Sequence, residues 1–245
     1  MKKLKKISIV IPTYNEEEFI EKTLIRVIKA DTLELKKEII IVDDGSTDKT
    51  PKIINSLKKK YSKKGTEILT IIKRVNQGKG AALKSGFLKT TGDVVIIQDA
   101  DLEYNPDDYP RLLAPFKKSS ADVVYGSRLF TNKPHRVLYF WHSVGNKFLT
   151  LLSNMFTNLN LTDMETGYKV FRGELIRKLA KNLKSKRFGF EPEITAKISK
   201  IPDLRIYEIG ISYWGRTYSE GKKIGWKDGA RAIWEIIYFN LFLDK

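Results

Sequence analysis

The chain holds 245 residues, with 45 Lys and Arg against 29 Asp and Glu for a net charge of +16, and 42% of it is hydrophobic. That apolar share excludes a disordered polycation, and the lack of any cysteine excludes a disulfide framework, a zinc ribbon and a thiol nucleophile. Two histidines leave oxygen as the donor for any bound metal, while the surplus charge requires a negative partner: nucleic acid, an anionic membrane or phosphorylated small molecules.

The first segment, MKKLKKISIVIPTYNEEE, confines its apolar run to Ile7–Pro12 and follows it at once with acids. It reads as a first strand, not a secretory leader. Further strand-like runs lie at Glu38–Asp43, Glu67–Lys73, Asp93–Gln98 and Asp122–Tyr125. Helical patterns alternate with them at Glu17–Lys29, Thr50–Lys60, Gly80–Lys89 and Asp107–Lys117. This alternation predicts an α/β fold with a largely parallel sheet covered on both faces. The second half predicts a long helix over Tyr139–Asn158, helices near Glu174–Lys181 and Pro192–Lys200, and a strand at Leu204–Ile211. A Gly- and Lys-rich loop, Gly215–Gly225, precedes a last amphipathic helix that starts near Trp226. Its apolar stretch Ile233–Leu243 is broken by Glu235 and Asn240, well short of the roughly 20 apolar residues that span a bilayer. The length fits one domain, or at most two small ones.

The carboxylates carry the functional signal. Glu16 follows the first strand, Asp43 and Asp44 close the second, and Asp99 and Asp101 close the fourth. Open α/β sheets bind ligands at the carboxyl ends of their strands, so three acidic clusters there converge on one crevice. Each alone could be turn chemistry, since DDGST suits a turn and Ser46 or Thr47 could cap a helix. Asp99 and Asp101 cannot both face apolar core without severe cost. A hard divalent cation, Mg2+ or Mn2+, would take their oxygens, with Glu103 as a further ligand and a substrate diphosphate completing the set. The segment Asn76-Gln77-Gly78-Lys79-Gly80-Ala81 opens a helix with cationic and backbone donors suited to an anion, without Walker A spacing.

The ordered series IPTYNEEE, DDGSTDKT, NQGKGAA, DAD and YGSR resembles the signature of family 2 glycosyltransferases, inverting enzymes with the GT-A fold. The resemblance runs from Ile9 to about Gly229, and the later segments TDMETGYKVF, RFGFEPEITAK and YWGRTYSEGKKIGWKDG are most similar to dolichyl- or polyprenyl-phosphate sugar transferases of glucose or mannose type. It implies a GT-A domain over residues 1–229 and a C-terminal helix over 226–245, packed on the domain or at a membrane interface. It also implies that Pro12, Tyr14, Glu16 and Asp43 hold the nucleoside of a UDP- or GDP-sugar, with Asp44 nearby. Asp99 and Asp101 would carry the metal on the diphosphate, with Ala100 between them in the donor site, and Lys79 and Arg128 near phosphates or sugar. Asp163 would face the reacting sugar, as general base or as orienter of the acceptor. Arg216, Lys222 and Lys223 would receive the acceptor phosphate from a gating loop. Asp163, Asp101 and Arg216 are thus the expected catalytic residues.

Glu191 and Glu193 flank Pro192 at a helix start, where the helix dipole accounts for them without function. The remaining lysines, spread over Lys2–Lys6, Lys58–Lys64, Lys184–Arg187 and Lys222–Lys227, fit an anionic bilayer surface on the cytoplasmic face, each Lys contributing about 1 kcal/mol. Three rivals stand beside this reading. A nucleic-acid-binding module leaves acids at three strand ends unexplained. A sugar-1-phosphate nucleotidyltransferase would open with a glycine-rich loop where this chain has PTYNEE. A family 2 transferase with a saccharide or protein acceptor differs only in the late motifs.

Overall fold

The alternating apolar runs become strands whose two faces feed two separate cores. In the computed structural model, which describes residues 4–62, 66–130, 136, 137, 139–217 and 226–242, the strands are β1 (Lys6–Thr13), β2 (Lys36–Asp43), β3 (Glu67–Ile72), β4 (Val94–Ile97), β5 (Val123–Ser127), β6 (Lys169–Arg172) and β7 (Ile206–Gly210). They form one sheet in the order β3-β2-β1-β4-β6-β5-β7. The helices are α1 (Ile20–Lys29), α2 (Thr50–Ser62), α3 (Lys79–Phe87), α4 (Tyr109–Lys118), α5 (Phe140–Thr157), α6 (Gly173–Lys181), α7 (Phe190–Ser199) and α8 (Trp226–Leu241).

Ile7, Ile9 and Ile11 of β1 and Ile39 and Ile41 of β2 pack with Leu24 of α1, Ile54 of α2 and Leu112 of α4. The intervening Val10, Ile40 and Val42 pack on the other face with Leu83 of α3, Ile176 of α6 and Ile194 of α7. Burial on both faces explains why these strands read as continuous hydrophobic runs. All pairings are parallel except those of β6, which runs antiparallel to both β4 and β5. This strand was not among the sequence expectations. It is only four residues long and bounded by Lys169 and Arg172, too short for a period-2 signal.

The strand order reverses between β1 and β4, because β2 and β3 build outward on one side of β1 while β4 pairs on the other. Open α/β sheets bind ligands at such a switch point, here at the carboxyl ends of β1, β2 and β4. α8 buries Ala232, Ile236 and Phe239 and leaves Trp234 and Leu241 exposed. Among the described residues, no helix is long and apolar enough to cross a membrane.

Candidate active site

At the end of β4 the chain turns through Asp99-Ala100-Asp101 and returns to meet the segment before α8. Tyr104 forms an antiparallel bridge with Tyr213, and the Trp214 N–H donates to the Glu103 carbonyl at 3.0 Å. This pairing, made across more than a hundred residues, delivers Arg216 to the carboxylates. Its Nη2 donates to Asp101 Oδ2 at 2.9 Å, while its backbone N and Nε donate to Glu103 Oε1 at 2.8 and 3.3 Å. Its Nη1 lies 4.0 Å from Glu16 Oε2, so one guanidinium spans acids from the ends of β1 and β4. The other Glu103 oxygen accepts the Tyr213 hydroxyl at 2.8 Å.

Burial pushes the Asp101 carboxyl up to about 7, with Asp99 and Glu103 adding to the shift and Arg216 opposing it. Asp99 meets Lys79, whose Nζ stands 3.1 Å from Asp99 Oδ1 and 3.2 Å from Glu191 Oε1. Burial lowers the Lys79 ammonium, but Asp99 and Glu191 outweigh it and hold its pKa well above the ordinary value.

Lys79 opens α3 after the glycine-rich turn, and the turn is fastened from two sides. Asp44 accepts the N–H groups of Gln77 and Gly78 and pairs with Lys73 at 3.0 Å. The Gly80 and Ala81 N–H groups donate to the Arg187 and Lys186 carbonyls at 3.1 and 3.0 Å. Gly78 has φ +97°, and a Cβ there would stand 2.4 Å from the Lys186 carbonyl oxygen, so only glycine fits. Asp43 is fully buried and accepts from the Ser46 hydroxyl and backbone N–H. The DDGST carboxylates thus serve the local turn and the loop that presents Lys79. Pro12 is buried next to the last residue of β1, Tyr14 just beyond the strand is 38% exposed, and the Ala100 carbonyl is tied to the Thr23 hydroxyl of α1 at 2.7 Å.

Asp163 is fully buried and gripped by Arg128. Nε and Nη2 of Arg128 donate to its two oxygens at 2.7 Å each, the Arg128 backbone N at 3.0 Å, and Asn146 Nδ2 at 3.1 Å. Burial raises its pKa, but the Arg128 charge and these bonds outweigh that and hold it below the usual carboxylate range. Such a carboxylate is a weak proton acceptor. The same loop comes back through Gly167, where a Cβ would stand 2.3 Å from Asp99 Oδ2, so the bare backbone lets the loop close on the acidic cluster.

The structure therefore brings together Glu16, Lys79, Asp99, Asp101, Glu103 and Arg216, sets Arg128 and Asp163 as a pair beside them, and uses Asp43 and Asp44 as loop anchors. Lys222 and Lys223 lie outside the described residues. Among the described residues, no three acidic or histidine side chains stand gathered around a ready metal position. Asp99 and Asp101 still offer the hard oxygens a divalent cation takes, and the Arg216 guanidinium is a stand-in cation on Asp101. Both oxygens of Glu103 are engaged by Tyr213 and Arg216.

Two residues that dipole reasoning set aside belong to this region. Glu191 is a partner of Lys79, and Glu193 accepts the Lys184 and Ser185 N–H groups at 2.8 and 2.7 Å. The signal that could have found them is two carboxylates inside FEPEITA, a segment buried from Phe190 to Ala196. Beneath them, fully buried Lys169 donates from Nζ to the Met164 carbonyl at 2.9 Å and to that of Thr166. Burial pushes its ammonium down to about 8 and the neighbouring Glu165 up to about 8.

In sequence the chain resembles known sugar transferases. It is 30% identical over 221 residues to the undecaprenyl-phosphate 4-deoxy-4-formamido-L-arabinose transferase of Proteus mirabilis, covering 90% of this chain and 63% of that one. It is 31% identical to a dolichyl-phosphate beta-glucosyltransferase of Trichomonas vaginalis, over 84% of this chain and 65% of the relative. It thus spans a little under two thirds of the length of these curated relatives. Its fold is similar to that of the glucosyl-3-phosphoglycerate synthase of Mycobacterium tuberculosis, solved with Mn2+, UDP and phosphoglyceric acid, at TM-score 0.69 and 20% identity over 98% of this chain and 80% of that one. The family model described as "Glycosyl transferase family 2" matches residues 8–180. The chain belongs to glycosyl transferase family 2.

Proposed function

We propose that the protein moves a hexose from a nucleotide sugar, UDP-glucose or GDP-mannose, to a polyprenyl or dolichyl phosphate in a metal-dependent, inverting reaction. The observation that carries this reading is the meeting of Asp99, Asp101, Glu103 and Glu16 with Arg216 and Lys79 at the sheet's switch point. Oxygen donors for a cation and cations for phosphates stand there side by side. The relatives named for polyprenyl- and dolichyl-phosphate chemistry support the choice of acceptor.

In this reading Asp99 and Asp101 hold Mg2+ or Mn2+, with Glu103 behind them as the tether of Arg216. When bound, the ion neutralises the leaving nucleoside diphosphate, normally the largest part of such catalysis. An oxygen of the acceptor phosphate bonds to the anomeric carbon on one face of the sugar. The bond to the β-phosphate oxygen breaks on the other face, and the nucleoside diphosphate leaves with the electron pair. Arg216 turns from Asp101 to the acceptor phosphate, joined by Lys222 and Lys223, and Lys79 turns to the donor diphosphate. Tyr14 and Asp43 lie toward the nucleoside. A phosphate acceptor is already ionised at neutral pH and needs no base, so Asp163 acts by fixing Arg128, not by taking a proton.

A lipid acceptor requires approach to a bilayer, and we place the protein peripherally on an anionic cytoplasmic leaflet. Trp141, Val144, Phe148, Leu151 and Met155 form an exposed apolar stripe along α5 at helical spacing. Exposed apolar patches mark contact surfaces, and a lipid acceptor favours a membrane interface for this one.

The test is incubation with labelled UDP-glucose or GDP-mannose, Mn2+ or Mg2+, and a short polyprenyl phosphate, with 3-phosphoglycerate and simple saccharides as parallel acceptors. Chloroform-extractable label from one donor supports the reading. Label only in a water-soluble phosphoglycerate or saccharide product would replace the lipid acceptor and leave the transferase.

A further inference from the structure

A second cationic site lies away from the carboxylates, where α3, α6, α7 and α8 meet. A groove of about 1050 Å³ opens there, and six lysines line it: Lys84, Lys178, Lys181, Lys184, Lys197 and Lys200. Its apolar lining is Leu179, Leu183, Ile201 and Leu241.

The lysines are unevenly occupied. Lys84 donates to the Leu183 carbonyl at 2.8 Å, Lys200 to the Phe239 and Asn240 carbonyls at 3.4 and 3.2 Å, and Lys197 stands 3.6 Å from Glu193. Glu193 itself is spent on the Lys184 and Ser185 N–H groups. Lys178, Lys181 and Lys184 are exposed. Burial lowers the Lys197 ammonium, Glu193 opposes the shift, and the like charges of Lys184 and Lys200 add to it. Glu174 lines a shallow depression that shares Lys178 and Lys181 with the groove.

Three kinds of partner carry enough negative charge. Nucleic acid and soluble phosphates satisfy the lysines but leave the leucine and isoleucine lining in contact with polar atoms or water. A bilayer surface offers phosphates at one depth and hydrocarbon just below it. The apolar lining also runs outward: Leu241 is 60% exposed and is continued by Phe242, at 62%. Both sit at the end of α8, which packs against the α5 helix that bears the apolar stripe.

We propose that this groove is a docking site for the phosphate headgroups of anionic phospholipids, with Lys178, Lys181 and Lys184 on the phosphates and Ile201 and Leu241 against the upper acyl chain. The proposal rests on the membrane association proposed above and adds to it a defined contact surface. It also sets one end of α3 at the bilayer. Lys84 lies five residues after Lys79, about 7.5 Å along the helix axis, so the headgroup site and the donor-phosphate residue share one rigid element.

Vesicle co-sedimentation tests it, with phosphatidylcholine alone and with phosphatidylcholine containing 30% phosphatidylglycerol by design, using the full chain. Removing one lysine weakens partition roughly fivefold. The triple variant Lys178→Gln, Lys181→Gln, Lys184→Gln should therefore bind anionic vesicles on the order of 100-fold less tightly. A charge-matched control, Lys22→Gln, Lys52→Gln, Lys59→Gln, should bind within a few-fold of wild type, and all three proteins should share one melting temperature. Wild-type binding to anionic vesicles with equal loss in both variants would reduce the effect to net charge and overturn the groove, while leaving membrane association standing. Failure of wild type to bind any vesicle would overturn both. Groove-dependent binding to a DNA duplex without groove-dependent vesicle binding would overturn the lipid assignment.

Discussion

Arg216 donates to Asp101 across 2.9 Å, so the residue proposed to receive the acceptor phosphate also guards a carboxylate proposed to hold the metal. A hydrogen bond to a charged group contributes about 1.5–3 kcal/mol, and ligation at Asp101 must displace this one. Arg216→Gln should therefore bind Mn2+ about tenfold more tightly in the absence of nucleotide, while transfer falls by at least 100-fold. Free Mn2+ measured by electron paramagnetic resonance during titration reads the first effect. Weaker Mn2+ binding in the variant would mean that Arg216 builds the site instead of competing for it.

Asp163 is fully buried, Arg128 grips it bidentately from a partly buried position, and leaving the carboxylate's partner uncompensated costs about 3–5 kcal/mol. Asp163→Asn should lower the melting temperature by about 10 °C, and Asp163→Asn with Arg128→Gln should recover part of that loss. The pH dependence has a definite sign. Because the folded pKa is depressed, the carboxylate's stabilisation is present above its unfolded value near 3.9 and fades as pH falls through the folded value. The melting temperatures of wild type and Asp163→Asn should accordingly converge on acidification below about 4. A gap that stays constant down to pH 2 would contradict the ion-pair assignment.

Gly167→Ala adds a methyl group at a point 2.3 Å from Asp99 Oδ2. The loop or Asp99 must shift, and a displacement near 1 Å can reduce turnover about 100-fold. Overpacking costs about 1–3 kcal/mol, so the variant should fold, melt a few degrees lower and be nearly inactive. Wild-type turnover would show that Asp99 does not need its present position.

Much of this was legible in the chain because the same physics acts locally. Ile39, Ile40 and Ile41 are buried on alternate faces of β2, so the apolar run itself marked a strand covered on both sides. Acids placed directly after such runs marked the crevice. What stayed hidden depended on distant pairing. Nothing near Arg216 says that Glu103 will hold its backbone, and nothing in KVFR says that four residues will wedge antiparallel between β4 and β5. Asp44 reads as a donor ligand, and nothing in the sequence signals that one of its oxygens, Oδ2, accepts the N–H groups of the loop it fastens. Glu191 and Glu193 looked adequately explained by a helix dipole until burial removed the solvent on which that explanation relied.

Glu191 gives a further prediction. It shares Lys79 with Asp99, and Glu191→Gln leaves the ammonium to Asp99 alone. Lys79 should then sit closer to the acidic cluster and be less available to the donor diphosphate. The expected result is a several-fold rise in KM for the nucleotide sugar with a smaller change in kcat. A fall in kcat at unchanged KM would place Glu191 against the reacting sugar instead.

The central claim is that the carboxylates at the end of β4 bind a nucleoside diphosphate through a divalent cation. Calorimetric titration of UDP and GDP into the protein, with and without Mn2+, measures this without any acceptor or membrane. One of the two nucleotides should bind only when Mn2+ is present, and Asp99→Asn with Asp101→Asn should abolish that binding while the fold persists. Nucleotide binding of equal strength without the ion, or in the double variant, would contradict the claim.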